Sequence, residues 1–294
     1  MRPRSTVLRI ASMLAMAFLL ALVATLPALA SPPDRFLVVC SPGSPGTTLQ
    51  AQPTMDSFAR TAGLSAGWPE GSLGAAYFET AEGGLARLAR PDAVLALVPP
   101  AFLSRYGADL GLIPRMEAVL ESGKPEIWSL AARKGRVSSP SSLRGWEVTG
   151  APGFAPDFVR GDLMEKWGTL PADARITFTA RILSALRRAA AGEDVAVLID
   201  SAQTAALSTL PFAGDLEVVW SSRPLPGAVL CAVGSRLAAA EADALVRGLA
   251  GLAKREGGPE VLQSLRLSRF ATLDPGATND LLRPRKSAAP GPKP

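Results

Sequence analysis

Two prolines between two apolar runs constrain this chain more than any other feature. Residues 216–220 (LEVVW) and 228–233 (AVLCAV) are apolar and rich in β-formers, and Pro224 and Pro226 lie between them. Proline has no backbone N–H and a fixed φ, so two of them within three residues cannot lie inside a central strand. The two runs are therefore predicted to be separate strands. We interpret the segment between them as the return crossing of a two-lobed protein.

Strands and helices are predicted to alternate along most of the chain. Segments 93–98 (AVLALV) and 195–199 (VAVLI) are wholly apolar, as expected of parallel strands covered on both faces. Apolar residues recur at helical spacing in segments 53–63, 180–191 and 238–254. This alternation predicts an α/β fold in which each lobe is a mainly parallel sheet flanked by helices. Two such sheets joined by two crossings leave a cleft at the carboxyl ends of their strands.

Other segments give weaker signals. A first strand is predicted over 35–39 and a helix over 157–167, whereas the Gly-rich stretch 68–81 allows no assignment. Asp200 closes the 195–199 strand, and Ser201 is a candidate cap for a helix that follows.

The first thirty residues have the pattern of a secretory signal peptide. Arg2, Arg4 and Arg9 come before or at the start of an almost unbroken apolar run over 10–26, and residues 28–30 (ALA) form a small-x-small cleavage pattern. Cleavage directly after this pattern and a periplasmic location are predicted. An uncleaved membrane anchor is the alternative, because the run is nearly long enough to span a bilayer.

Most of the net positive charge of the chain lies near its two ends. The formal net charge is +5, and removal of residues 1–30 takes away three Arg and no acid, which leaves 28 basic and 26 acidic residues. Segment 283–294 is basic and Pro-rich, and we predict a disordered tail there. No basic stripe with interleaved aromatic residues is present, so a nucleic-acid partner is not expected.

The chain contains no His and only two Cys, Cys40 and Cys231. The absence of His excludes Ser-His-Asp and Cys-His catalysis and the usual zinc ligand sets. No positioned acid, base and nucleophile can be assembled, so neither an enzyme nor a cofactor is predicted. Export would permit a disulfide between the two Cys. Both Cys lie in predicted apolar strands, where free Cys behaves as a small apolar residue. The sequence is therefore compatible with a disulfide and with two free buried thiols.

Three stretches carry a resemblance to a known family. The family's motif for the start of the second lobe is similar to residues 141–148 (SSLRGWEV). Its helix–strand unit is similar to residues 183–201, and its return crossing to residues 220–227 (WSSRPLPG). The three stretches have the order and spacing of the family. The chain thus resembles the substrate-binding proteins of ABC importers in the type 2 periplasmic-binding fold, within the phosphate, phosphite and phosphonate-binding group. The resemblance covers about residues 85–265. We predict lobe 1 over 31–127 and 224–282, and lobe 2 over 128–223.

The resemblance implies an exported, monomeric solute-binding protein. Its two lobes would close on a small solute, such as a phosphate- or phosphonate-like oxyanion, and deliver it to an ABC permease in the inner membrane. The alternative is a binding fold repurposed as an envelope sensor or interaction partner with a degenerate cleft.

The binding positions of the family carry over incompletely. In the phosphonate group, a Ser-Thr-Ser run at a helix N-terminus of lobe 2 binds the anion. Here the corresponding loop, 150–156 (GAPGFAP), has no hydroxyl, and its two prolines remove N–H donors. A His of some members aligns near Ile182, and a Tyr aligns with Phe102. The candidate ligand residues are Ser41, Thr47, Thr48, Pro99, Phe102, Gly153, Phe154, Asp200 and Ser201.

Each of these candidates has a structural alternative. Asp200 is the acidic position that matches the family, but it is equally placed to cap the helix after it. The hydroxyl-bearing loop 41–48 can be a simple turn. Phe154 can stack on a ligand or pack inside its lobe.

Overall fold

The computed structural model describes residues 33–273. Its strands are β1 (Arg35–Cys40), β2 (Leu73–Phe78), β3 (Ala93–Val98), β4 (Leu112–Leu120), β5 (Ser129–Arg133), β6 (Glu147–Gly150), β7 (Arg175–Phe178), β8 (Val195–Ile199), β9 (Leu216–Ser221), β10 (Ala228–Val233) and β11 (Leu267–Thr272).

The helices are α1 (Thr48–Ser65), α2 (Ala81–Leu88), α3 (Pro100–Tyr106), α4 (Pro156–Phe158), α5 (Ile182–Ala190), α6 (Ser201–Ala206), α7 (Ala239–Ala250) and α8 (Gly258–Ser264). A π-helical turn, Val159–Leu163, continues α4. Short 3₁₀ turns span Pro140–Leu143, Ala151–Phe154, Leu207–Thr209, Ala213–Asp215 and Leu252–Lys254. None of the helices described is both long enough and apolar enough to cross a membrane.

The strands form two separate sheets. The six-stranded sheet has the order β11-β4-β10-β3-β1-β2, and the five-stranded sheet has the order β7-β6-β8-β5-β9. We call the first sheet with its helices lobe 1 and the second lobe 2. The predicted two-sheet α/β fold is confirmed.

Both sheets are mainly parallel in strand direction, as predicted, and each also contains antiparallel pairs. The strands of the βα units pair in parallel, β1 with β2 and β3, and β6 with β7 and β8. The pairs made by β4, β5, β9, β10 and β11 are antiparallel. Strands β4 and β9 run in the same direction as β3 and β8. Strands β10 and β5 each enter a sheet directly from a crossing, run the opposite way and lie between them, and β11 pairs with the outer side of β4.

The two crossings between the lobes pair with each other. The chain leaves lobe 1 after β4 and returns at β10, and Pro224 and Pro226 lie on the return crossing, as predicted. Glu126 on the first crossing and Leu225 on the second form an antiparallel bridge. Each donates its backbone N–H to the carbonyl of the other at 2.9 Å. The lobes are therefore joined by a two-stranded connection.

The sheet of lobe 2 is covered on both faces. On one face, Val148, Ala196 and Leu198 belong to an apolar cluster with Phe158 and other residues around α4. On the opposite face, a set of strand residues packs against α5: Ala131, Val195, Val197 and Ile199. The alternation of these residues along β8 follows from the two-residue period of a strand.

Several predicted boundaries differ from the structure. Helix α1 begins at Thr48 rather than at Pro53, because Thr47 forms a capping box with Gln50 and starts the helix earlier. The helix predicted over 157–167 is instead α4 and its π turn. Strand β2 lies in the Gly-rich stretch that allowed no assignment, and β11 was not predicted. The predicted signal peptide (1–30) and tail (283–294) lie outside the described residues.

Candidate functional site

The candidate ligand residues all follow the carboxyl ends of strands. Ser41 follows β1, Pro99 follows β3, Gly153 follows β6 and Asp200 follows β8. The carboxyl edge of an open α/β sheet is where such folds bind ligands. In lobe 1 and in lobe 2 the chain therefore brings these residues to the carboxyl edge of the sheet.

The loop after β1 is held by hydroxyl groups. The Oγ atoms of Ser41 and Ser44 are 2.8 Å apart. The Tyr77 hydroxyl donates to the Ser44 carbonyl at 3.2 Å, and burial raises the pKa of Tyr77 to about 12, so that it stays a neutral donor. Thr47 caps α1, and the Thr48 hydroxyl donates to Glu79 at 3.2 Å. The loop is thus an ordered structure with several polar atoms at the edge of lobe 1.

Tyr77 and Glu79 were missed by the sequence analysis. Both belong to the end of β2, inside or next to the stretch that allowed no assignment. The aromatic pair Tyr77-Phe78 after small residues was the one available signal for a strand there.

Pro99 and Phe102 lie at the start of α3. Pro99 is the N-cap residue in extended conformation and is half-buried. The Phe102 side chain is completely buried, and its ring centroid is 5.0 Å from that of Tyr106. The ring thus packs in the apolar core, and its proposed ligand contact stays a prediction.

The loop after β6 is packed tightly against its own sheet. A Cβ atom on Gly153 would overlap the Thr177 carbonyl group, so only glycine allows this approach. The Phe154 ring packs edge-on against the Phe178 ring, with centroids 6.3 Å apart. Packing between aromatic rings is therefore the observed role of Phe154, and stacking on a ligand stays a prediction.

Asp200 and Ser201 begin helix α6. The Asp200 carboxylate accepts a hydrogen bond from the Gln203 backbone at 2.7 Å and forms a capping box. The Ser201 hydroxyl accepts from the Ile127 N–H at 2.9 Å, and the Ser201 N–H donates to Glu126 at 2.7 Å. The cap role of Asp200 is thus observed, and Ser201 ties lobe 2 to the first crossing. The role of Glu126 gave no signal in the sequence.

The two lobes contact each other directly at these edges. A Cβ atom on Gly43, in the loop after β1, would lie 3.1 Å from Ala151 Cβ and 3.1 Å from the Phe178 ring. Ser104 on α3 donates a hydrogen bond to Asp162 on the π turn of lobe 2 at 3.1 Å. Apolar residues of α3 and α4 belong to one cluster. Protein groups therefore occupy part of the space between the lobes.

The two thiols are free and well separated. On one side of β3, Cys231 pairs with Ala96. On the other side, the same Ala96 pairs with Val38, which lies two residues before Cys40. Two strand spacings of about 4.8 Å put the Cys backbones roughly 10 Å apart, beyond the reach of about 7 Å for a disulfide. Both Cys are free and buried. Within 33–273, no cluster of His, Cys, Asp or Glu has the arrangement of a metal site.

Comparison with known proteins identifies the family. The model of the family described as "ABC transporter, phosphonate, periplasmic substrate-binding protein" matches residues 131–277, which is half of the chain. This chain belongs to that family. Its members are periplasmic substrate-binding components of ABC transporters, which hand a small molecule to a permease, and they are not enzymes. The solute-binding role and the predicted family are thus confirmed.

Solved structures show the same fold at low sequence identity. XAC2383 from Xanthomonas citri, solved with chloride, has a TM-score of 0.64 at 14% identity over 84% of this chain and 95% of that one. A binding protein component of an ABC phosphonate transporter from Pseudomonas aeruginosa has a TM-score of 0.59 at 16% identity, over 85% and 84%. PhnD1 from Prochlorococcus marinus, in complex with methylphosphonate, has a TM-score of 0.55 at 12% identity, over 84% and 96%. No curated protein matches the sequence.

Proposed function

We propose that residues 1–30 direct export of the chain and are then cleaved off. The mature protein captures a small solute between lobe 1 (31–127 and 224–282) and lobe 2 (128–223). It then delivers the solute to an ABC permease in the inner membrane. The closeness of Gly43 to Ala151, which a Cβ atom added to Gly43 would approach to 3.1 Å, supports this proposal most directly. Gly43 follows β1 and Ala151 follows β6, so the carboxyl edges of the two sheets face each other. Ligands of open α/β sheets bind at such edges.

Oxyanions of the phosphonate type are the first solutes to test. The family supports them, and lobe 1 offers the Ser41–Ser44 hydroxyl pair, whereas the Thr48 hydroxyl already donates to Glu79. Lobe 2 offers less, because its 150–156 loop lacks hydroxyls and has two prolines without N–H donors. Each charge-assisted hydrogen bond lost weakens binding by about 1.5–3 kcal/mol. We therefore expect phosphonate binding weaker than a Ser-Thr-Ser loop would support.

Isothermal titration calorimetry tests capture. The purified chain without residues 1–30 is titrated with phosphate, phosphite and methylphosphonate, then with neutral and cationic solutes. One class is expected to bind at one molecule per chain. The proposal fails if no solute of the panel binds at millimolar concentration.

Asp200 allows a matched pair of variants. Asp200→Asn keeps a good helix cap but removes the charge, whereas Asp200→Ala removes both. If Asp200 contacts the solute, Asp200→Asn changes affinity at unchanged melting temperature. Asp200→Ala should in addition lower stability by about 1 kcal/mol. An unchanged affinity in both variants would leave Asp200 with its cap role alone.

A second candidate function rests on the contacts between the lobes. A Cβ atom added to Gly43 would lie 3.1 Å from Ala151 and from Phe178, and Ser104 donates a hydrogen bond to Asp162. These contacts favour a chain whose lobes stay together as a sensor or interaction partner in the cell envelope. Small-angle X-ray scattering across the solute panel separates the two functions. A radius of gyration that changes with one solute supports capture, and a constant radius with no binding supports the second function.

A further inference from the structure

The sheet of lobe 2 has a polar strip on a face where apolar residues are expected. On β6, Val148 points into the apolar cluster around α4, so its neighbours Glu147 and Thr149 point to the α5 side. On β7, Thr177 pairs with Thr149 and lies on the same side. Thr149 is only 2% exposed. Buried polar side chains on a helix-covered sheet face require a partner or a function.

These residues line a cavity beside helix α5. The cavity has a volume of about 260 Å³, and Thr149, Thr177, Thr179, Arg181 and Ser184 contribute to its walls together with Glu147 and Arg188. Val197, the neighbour of Thr149 on β8, packs against α5 on this same face. Phe178, which would lie 3.1 Å from a Cβ atom added to Gly43, also lines the cavity. The cavity therefore runs along the flank of lobe 2 and reaches the carboxyl edge of β7, next to the gap between the lobes.

Two hydroxyls at one end of the cavity can only accept hydrogen bonds. The Thr149 hydroxyl is 3.2 Å from the Thr177 carbonyl and must donate to it. The Thr177 hydroxyl is 2.7 Å from Glu147, whose pKa is lowered by this bond and by Arg188, so Thr177 must donate to an ionised carboxylate. Both hydroxyls thus present only lone pairs to the cavity.

Arg188 does not make this end positive. Its guanidinium forms ion pairs with Glu147 at 2.9 Å and with Glu193 at 2.8 Å. Two carboxylates therefore offset the charge of Arg188, and Arg175 is a second cation that acts on Glu147. A group that binds between Thr149, Thr177 and Glu147 has to be a hydrogen-bond donor, and a positive charge on it is favoured.

The other end of the cavity donates. The Arg181 side chain makes no hydrogen bond or ion pair with any other residue in 33–273. The Thr179 hydroxyl accepts from the Arg181 N–H at 3.0 Å and is free to donate its own proton. The Ser184 hydroxyl has no bonding partner among the same residues. Arg181 and two hydroxyls can therefore hold an acid group.

We propose that this flank cavity binds a small zwitterion. Its acid group lies at Arg181, Thr179 and Ser184, and its ammonium group lies at Thr149, Thr177 and Glu147. A volume of about 260 Å³ suits a molecule of amino-acid size. Arg181, Thr149 and Glu147 are not among the residues proposed for solute capture between the lobes.

A length series of amino acids tests the proposal. Glycine, β-alanine and γ-aminobutyrate are titrated into the full chain without residues 1–30, with propionate and n-propylamine as probes that each lack one charge. One amino acid is expected to bind at least tenfold more tightly than either control. Equal binding of propionate, or no binding of any amino acid at millimolar concentration, overturns the proposal.

Two variants locate the binding. Arg181→Gln should weaken it roughly ten- to hundredfold, because a charge-assisted bond is lost. Arg187→Gln, an exposed Arg on the same helix outside the cavity, should leave the affinity unchanged. An affinity that Arg181→Gln leaves unchanged overturns the proposal. Loss of amino-acid binding in Asp200→Asn but not in Arg181→Gln would place the ligand between the lobes, which overturns this site and leaves the proposed capture function standing.

Thr149→Val tests the accepting end. Valine keeps the shape of threonine and removes its lone pairs, so amino-acid binding should weaken while propionate, which has no ammonium group, is unaffected. The melting temperature of the variant shows whether it is folded. A folded Thr149→Val chain that binds the amino acid normally contradicts the assigned orientation.

Discussion

Ser104 in lobe 1 donates its hydroxyl to the Asp162 carboxylate of lobe 2, with 3.1 Å between Oγ and Oδ2. Asp162 lies in the π turn and is only 3% exposed. π turns are rare and are often found at functional positions. The bond joins two residues on different lobes, so it contributes to the relative position of the lobes as well as to stability.

Ser104→Ala removes this contact and is expected to lower the free energy of unfolding by about 1.5 kcal/mol, since a partly buried hydrogen bond is lost. Urea unfolding followed by circular dichroism measures the loss. The control is Ser264→Ala, because that hydroxyl bonds to a carbonyl within its own exposed helix. An equal decrease in the free energy of unfolding in the two variants would show that the hydrogen bond between the lobes stabilises the protein no more than a bond within an exposed helix.

Gly153→Ala is expected to be strongly destabilising. Its new Cβ atom would overlap the backbone of Thr177, which cannot move away as a side chain could. Overpacking of this kind costs about 3 kcal/mol. Gly214→Ala is the matched control, because no atom lies within 4 Å of its added Cβ. Thermal melts of the two variants make the comparison, and a Gly153→Ala chain as stable as the control would contradict the tight loop.

Glu147 makes the folded state sensitive to acid. The hydrogen bond from Thr177 and the ion pair with Arg188 lower the pKa of Glu147 in spite of its partial burial. The unfolded state therefore binds a proton more readily, with an ordinary pKa of about 4.3. The stability from this carboxylate is present above that pH and is lost as the pH falls through the lower folded pKa.

Glu147→Gln should therefore flatten the loss of stability below about pH 4.5, which is near the ordinary pKa of a Glu. Urea midpoints measured from pH 3 to pH 6 check this expectation. Asp173→Asn, at an exposed acid that forms no ion pair in the described part of the chain, is the control. If the urea midpoints of the wild type and Glu147→Gln fall equally with decreasing pH, Glu147 is not the source of the acid sensitivity.

Cys40 and Cys231 should stay reduced after oxidation of the folded chain. They lie on opposite sides of β3, and burial raises the pKa of Cys40 to about 12 and that of Cys231 further. Iodoacetamide at pH 8 is expected to label both thiols only after denaturation, as measured by intact mass. A folded chain whose mass is lower by two hydrogens would reveal a disulfide and contradict the arrangement of the strands.

The sequence alone was sufficient for the two-lobed plan. Pro224 and Pro226 between two apolar runs forced a crossing, because proline cannot occupy a central strand. The wholly apolar runs of β3 and β8 showed strands covered on both faces. Such features act locally or through composition, so they can be predicted without knowing the neighbours of each residue.

Tertiary structure alone decided the candidate sites. Gly43 and Ala151, which the fold brings close together, are more than a hundred residues apart in the sequence. Strand β2 escaped prediction because its small residues give no period, and it forms by pairing with β1. The direction in which the Thr149 and Thr177 hydroxyls donate depends on the register of β6 and β7, which is set by pairing between distant segments. A contact between remote residues leaves no pattern in a single sequence, and so these sites became visible only in the folded chain.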